Sequence, residues 1–171
     1  MSTSLTGDTV TTNTSNLRSW IIKAGLFAAS FAACCVIFDV EIALILTYGV
    51  FVHEAGHVKA STWLGLATKG VYFLPFVGAV AVSETPRTRG QEVLIQLMGP
   101  GFGLLSVIPL ASSAVLTGDA RWWHYTFLVA GLNLFNMLPI GALDGGQIVL
   151  AIAQSIGRRT TLALFSIGTA L

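Results

Sequence analysis

Two histidines one helical turn apart, with a glutamate beside the first, form a metal-binding pattern. Residues 53–57 read His53-Glu54-Ala55-Gly56-His57. On an α-helix, positions i and i+4 lie about 40° apart around the axis, so both imidazoles present to one point. Glu54 sits about 60° beyond His57 on the same side, within reach of a water held there. Two neutral imidazoles, one further ligand and a water make the open tetrahedral site of a catalytic zinc ion. Bound metal lowers the pKa of that water toward neutrality, and a neighbouring carboxylate can take its proton.

The surroundings sharpen the pattern. From Ile45 the chain runs ILTYGVFVHEAGHVKASTWL, apolar enough to sit in a bilayer. A charge at the centre of a transmembrane helix costs about 2.5–3.5 kcal/mol, while each Leu, Ile or Val returns only about 0.3–0.6. Ionisable groups kept at such depth are functional by default. The plain alternative is a polar cluster joining helices by hydrogen bonds.

The elements that must carry the motif follow from composition. The 171 residues are 54% hydrophobic and 10% charged, against about 25% charged in soluble domains. An integral membrane protein with one compact helical domain is the economical reading. The net charge of +1 gives no reason to expect nucleic acid. Cys34 and Cys35 are adjacent in an apolar run and read as small packing residues.

Residues 1–18 are Ser/Thr/Asn-rich and are expected to form a disordered tail, ahead of a single domain over 19–171. A first span is expected over 19–38, in preference to a signal peptide, and a second over 41–64. Residues 71–82, VYFLPFVGAVAV, are too short to cross as a helix and are rich in Val and Phe. Twelve residues reach about 18 Å against a core of about 30 Å, so a bent strand or hairpin is expected within the membrane. Further helices are expected over 92–117 and 121–138. Pro139 and Gly141 are then expected to break the chain before a helix opening near Gly145, and residues 160–171 are expected to begin a last span without completing it. The fold class is therefore an all-α polytopic membrane protein with four to five transmembrane helices and a short embedded β segment.

Basic residues set the orientation. With the N-terminus cytoplasmic, Arg18, Lys23, Lys59, Lys69, Arg87, Arg89, Arg158 and Arg159 fall inside and only Arg121 outside. Trp20 and Trp63 then lie near inner ends, while Trp122, Trp123 and Tyr125 cluster at an outer one. HEAGH falls in the cytoplasmic half of its helix.

A third ligand must come from elsewhere. Asp39, Glu41, Glu84, Glu92 and Asp119 lie at predicted helix ends or in loops, and His124 sits among aromatics on the opposite side. Asp144 remains, at a helix break in apolar sequence with no positive neighbour. It also heads Asp144-Gly145-Gly146-Gln147, a capping-box pattern, and one carboxylate oxygen can cap while the other binds metal.

HEAGH in an early span, paired later with Asn136-Met137-Leu138-Pro139-Ile140-Gly141-Ala142-Leu143-Asp144-Gly145-Gly146, resembles the site-2 protease family of intramembrane zinc metalloproteases over about residues 41–156. The resemblance implies one zinc ion per chain held by His53, His57 and Asp144, with Glu54 as the catalytic carboxylate. It also implies Asn136 at the active site as a substrate or oxyanion contact. Gly103, in MGPGFGLL, stands where the family commonly has Asn, which bears on packing there. Asn133 either lines the site or bonds between helices.

These features imply an endopeptidase that cuts single-span membrane proteins in or near their transmembrane segments, on the cytoplasmic side of a prokaryotic cell membrane. A substrate helix must unwind locally, and an exposed strand edge over 71–82 offers it β-pairing. Gly141, Gly145 and Gly146 permit non-helical backbone where water enters. The rivals are a zinc hydrolase of a non-peptide amphiphile, a metal transporter and an inactive zinc-bound scaffold.

Overall fold

The computed structural model describes residues 8–74 and 78–156. The architecture is mostly helical: α1 (Asp8–Ile37), α2 (Val40–Trp63), β1 (Thr68–Leu74), β2 (Gly78–Ser83), α3 (Arg89–Leu105), α4 (Val107–Thr117), α5 (Arg121–Asn136) and α6 (Asp144–Ile156). The expected span over 160–171, with Arg158 and Arg159, lies outside the described residues, as do residues 1–7 and Pro75.

Helix α1 begins at Asp8, within the stretch expected as a tail. Thr and Asn are mediocre helix formers, but nucleation is the costly step. The apolar stretch from Leu17 supplies the nucleus, and extending it backwards adds a hydrogen bond per residue.

Helix α2 is the centre of the molecule. Its buried residues include Gly49, His53, Glu54, Gly56, His57, Ala60 and Ser61, spaced by three and four and so forming one stripe. Small residues on that stripe let α3 and α5 approach, and the HEAGH polar groups lie on the same inward face. Gly65, at φ 70°, turns the chain out of α2, where a left-handed conformation favours glycine. The chain then enters two antiparallel strands, with Thr68 opposite Ser83, Leu74 opposite Gly78, and an irregularity between Thr68 and Gly70. β1 packs against α1, and β2 against α2.

Thr88 opens α3 with a capping box, accepting from Gln91 N–H while the Gln91 side chain accepts from Thr88 N–H. The helix expected over 92–117 is two helices meeting at Ser106. Pro109 explains the break, since it cannot donate to the carbonyl of residue 105 and its ring crowds that group. Ser106 Oγ donates to Gly103 O at 2.7 Å in the last turn of α3.

Ala60, Leu66 and Ile95 form one buried cluster, and Leu110, Tyr125 and Val129 form another. Outward faces stay apolar, with Phe51, Leu105, Ile108, Leu116 and Phe127 exposed. Among the described residues, Leu17–Ile37 and Arg89–Thr117 are long and apolar enough to cross a membrane. α2 has the length, at 24 residues, but His53, Glu54 and His57 dilute its apolarity.

A candidate metal centre on helix α2

His53 Nε2 and His57 Nε2 lie 3.1 Å apart. Asp144 Oδ2 is 3.0 Å from the first and 3.5 Å from the second. Ligand atoms about 2.0–2.1 Å from a tetrahedral zinc ion stand about 3.3 Å from one another, so this triangle has the size of three zinc ligands.

Hydrogen bonds decide what the three atoms carry. His57 Nδ1 donates to the Ile95 carbonyl at 2.8 Å. A carbonyl only accepts, so the proton is on Nδ1 and Nε2 keeps its lone pair. Asn133 Nδ2 donates to the Val129 carbonyl at 2.7 Å, which fixes the amide and turns Oδ1 toward His53 Nδ1, 3.0 Å away. His53 Nδ1 therefore donates, and its Nε2 is bare too. Asp144 Oδ2 is buried and has no hydrogen-bond partner. Three lone pairs thus meet in a buried space, an arrangement that a cation neutralises. His53, His57 and Asp144 together can hold a metal ion.

Asp144 reaches this point because α5 ends at Asn136 and the chain folds back before α6. A Cβ on Gly145 would strike the Met137 carbonyl, and one on Gly146 the Ile140 carbonyl. Both glycines lie in the first turn of α6, so they permit close approach rather than the non-helical backbone expected of them. The capping box expected at Asp144 is also replaced. Asp144 is inside the helix, and the Gln147 side chain donates to the Gly141 carbonyl instead.

Glu54, next to His53 on α2, is buried. It lines, with His53 and Asn136, a cavity of about 680 Å³ whose other walls are mostly apolar, including Phe27 and Phe31 of α1 and Leu132 and Phe135 of α5, with Ser30 and Thr47 as further polar residues. Asn136 Nδ2 donates to the Leu132 carbonyl at 3.0 Å, leaving a second amide hydrogen and the oxygen for other partners.

The remaining carboxylates and His124 lie elsewhere. Glu41 accepts from the Tyr125 hydroxyl, Glu84 from Ala67 N–H, and Glu92 pairs with Arg89. The Arg121 guanidinium hydrogen-bonds Asp119 and holds its carboxyl below the usual range. His124 Nδ1 lies 3.2 Å from the Ala120 carbonyl.

Three contributors were not assigned to the site from the sequence. A Cβ on Gly99 would enter the His57 ring, and one on Gly103 would fall on the Asn133 amide. The Ile95 carbonyl is a backbone group. The departure at Gly103 is therefore not a packing defect: the space its side chain would take is filled by Asn133 from α5.

Fold and site together define a helical metalloprotein of the HExxH class. The model of peptidase family M50 matches residues 107–171. The chain is 30% identical over 141 residues to stage IV sporulation protein FB of Bacillus subtilis, covering 78% of this chain and 44% of that protein. It is 26% identical over 119 residues to a putative zinc metalloprotease of Synechocystis, covering 67% of this chain and 31% of that one. Among solved structures, the site-2 protease from Methanocaldococcus jannaschii matches with a TM-score of 0.62 at 23% identity, over 88% of this chain and 73% of that one. The chain carries a peptidase M50 family domain, and several of its relatives are named as zinc metalloproteases. It spans less than half the length of these two curated relatives.

Proposed function

We propose that this chain is an intramembrane zinc endopeptidase that hydrolyses peptide bonds in or near the transmembrane segments of single-span membrane proteins. The observation that carries this reading is the cavity. Its walls are mostly apolar, and its polar groups include His53, Glu54 and Asn136 of the site itself. Such a space suits an apolar peptide segment and sets its backbone against the metal ligands.

In this reading His53, His57 and Asp144 hold zinc, which when bound supplies a Lewis acid and lowers the pKa of water. Glu54 takes a proton from the attacking water and passes one to the leaving amine, the work of a general base and then a general acid. Asn136 offers its remaining amide hydrogen to the scissile carbonyl oxygen as that atom gains charge. The apolar walls exclude bulk water, which strengthens both interactions. The substrate must unwind to expose a bond, and a free edge of the β1–β2 pair gives the unwound stretch main-chain partners.

The described helices belong to a multi-pass bundle of four to five spans, with the N-terminus cytoplasmic and the site in the inner half of the membrane of a prokaryotic cell. The eight-to-one division of basic residues supports this orientation. So do Lys23 over the Trp20 ring and Lys59 over the Trp63 ring, at 5.7 Å and 5.1 Å from the centroids. Such pairs suit an interface where one side is wet and the other apolar.

The test is incubation of the purified protein with a single-span model substrate, with zinc measured on the same sample. Cleavage that disappears with a chelator and returns with zinc supports the reading. Zinc-loaded protein that leaves every such substrate intact while hydrolysing a non-peptide amphiphile overturns it.

A further inference from the structure

We propose that Asn133 is a positioning residue of the metal centre, fixing the tautomer and direction of His53 from α5, and that Gly103 on α3 exists to leave its amide room. The inference rests on the reading of His53, His57 and Asp144 as zinc ligands.

Asn133 is fully buried, at 0% exposure, in a helix that is otherwise largely apolar. Burying an amide is costly unless its hydrogen bonds are made. Its Nδ2 donates to the carbonyl of Val129 on its own helix, and this anchor leaves Oδ1 pointing in one direction. There it meets His53 Nδ1 at 3.0 Å. An amide that merely joined two helices would be satisfied by any backbone partner, whereas this one accepts from the one ring N–H of a metal ligand. Its loss leaves that N–H unsatisfied. The alternative tautomer then gains ground, with the proton on Nε2 where the metal must bind.

The two histidines differ in what holds them. His57 Nδ1 donates to the backbone carbonyl of Ile95, which no side-chain substitution deletes. His53 depends on a side chain. Position 103 shows how closely that side chain is housed. A Cβ there would meet Asn133 Oδ1, Cγ and Nδ2 before anything else, so α3 yields its own side-chain space to the amide. A hydroxyl on that Cβ would stand close to the place of Oδ1.

The test measures zinc affinity by chelator competition on detergent-purified protein, together with the absorption spectrum of the cobalt-substituted form. Asn133→Leu has similar volume and no amide. It should bind zinc about 10–100-fold more weakly, the usual cost of removing an outer-shell partner, with an altered cobalt spectrum. Its unfolding in excess chelator should match that of wild type. Asn133→Ala should weaken zinc similarly. Adding Gly103→Ser should recover affinity by returning an acceptor from α3, whereas adding Gly103→Ala, which fills the space without one, should not. In the otherwise wild-type chain Gly103→Ser should be harmful, because it meets the amide. Zinc affinity within twofold of wild type in Asn133→Leu overturns the proposal. So does equal recovery by Ser and Ala at position 103, which would make the role one of packing, and this pair decides the matter if Asn133→Leu fails to fold. Absence of zinc from the wild-type protein would instead remove the metal reading itself.

Discussion

Gly99→Ala adds one methyl group, and its predicted effect falls on metal binding. The new Cβ would meet three atoms of the His57 ring; the farthest of them, Cδ2, would be 2.9 Å away, with Nε2 and Cε1 nearer still. Carbon atoms in contact rest about 3.5–4.0 Å apart, so the ring must retreat by at least about 0.6 Å. Metal–ligand distances tolerate only about ±0.2 Å. The ring has little freedom to shift, because its Nδ1–H is bound to Ile95 O, one turn earlier on the same helix as Gly99. Without the collision the change would stabilise the helix by about 0.8–1.0 kcal/mol. Overpacking of this kind costs about 1–3 kcal/mol. In metal-free protein the ring can give up its Ile95 bond and turn away, whereas a bound metal holds it in place, so the strain falls on the loaded state and weakens zinc by about 5- to 150-fold. Gly101→Ala is the control, since nothing lies within 4 Å of its Cβ position. Chelator competition on both purified variants checks this. Unchanged zinc affinity in Gly99→Ala, or an equal loss in Gly101→Ala, would refute the slot between Ile95 and Gly99.

Glu54→Gln keeps the shape but cannot take a proton, so zinc content should persist while cleavage falls at least about 10²–10⁴-fold; loss of zinc from this variant would make the carboxylate structural. Asp144→Asn should lower zinc occupancy and abolish cleavage, because the buried Oδ2 that faces both histidines becomes a neutral amide atom; full occupancy would show that Asp144 is no ligand. Cysteine at Thr88 should react with an impermeant thiol reagent only from the cytoplasmic side and cysteine at Gly118 only from outside, with Cys34 and Cys35 replaced beforehand; the reverse pattern would invert the topology. Proline at Val80 or Val82 should slow cleavage with zinc retained if a β2 edge receives substrate. Normal rates in both would remove the strand pair from the mechanism.

The grouping of His53, His57 and Asp144 was legible in the sequence, in part because it depends on local periodicity. A four-residue spacing brings His53 and His57 together on any α-helix, and Asp144 stood out as an acidic residue without a partner in apolar sequence. The helices were legible for the same reason, as long apolar runs punctuated by Pro and Gly. Their edges were not. Helix α1 begins at Asp8, a boundary that composition does not mark. Pro109 divides α3 from α4 within one unbroken apolar run.

Tertiary structure alone decided how the ligands are held. Ile95, Gly99 and Gly103 belong to α3 and Asn133 to α5, some 40 to 80 positions from the histidines they orient or accommodate. Residue type does not distinguish a glycine that makes room for an imidazole from one that faces open space, as Gly99 and Gly101 show. Nor does it tell an asparagine that bonds a ligand from one that bonds a helix. The physical reason is range. Helical periodicity acts over a few residues and is written in their order, whereas a hydrogen bond or a steric limit between helices exists only once packing has set the distance.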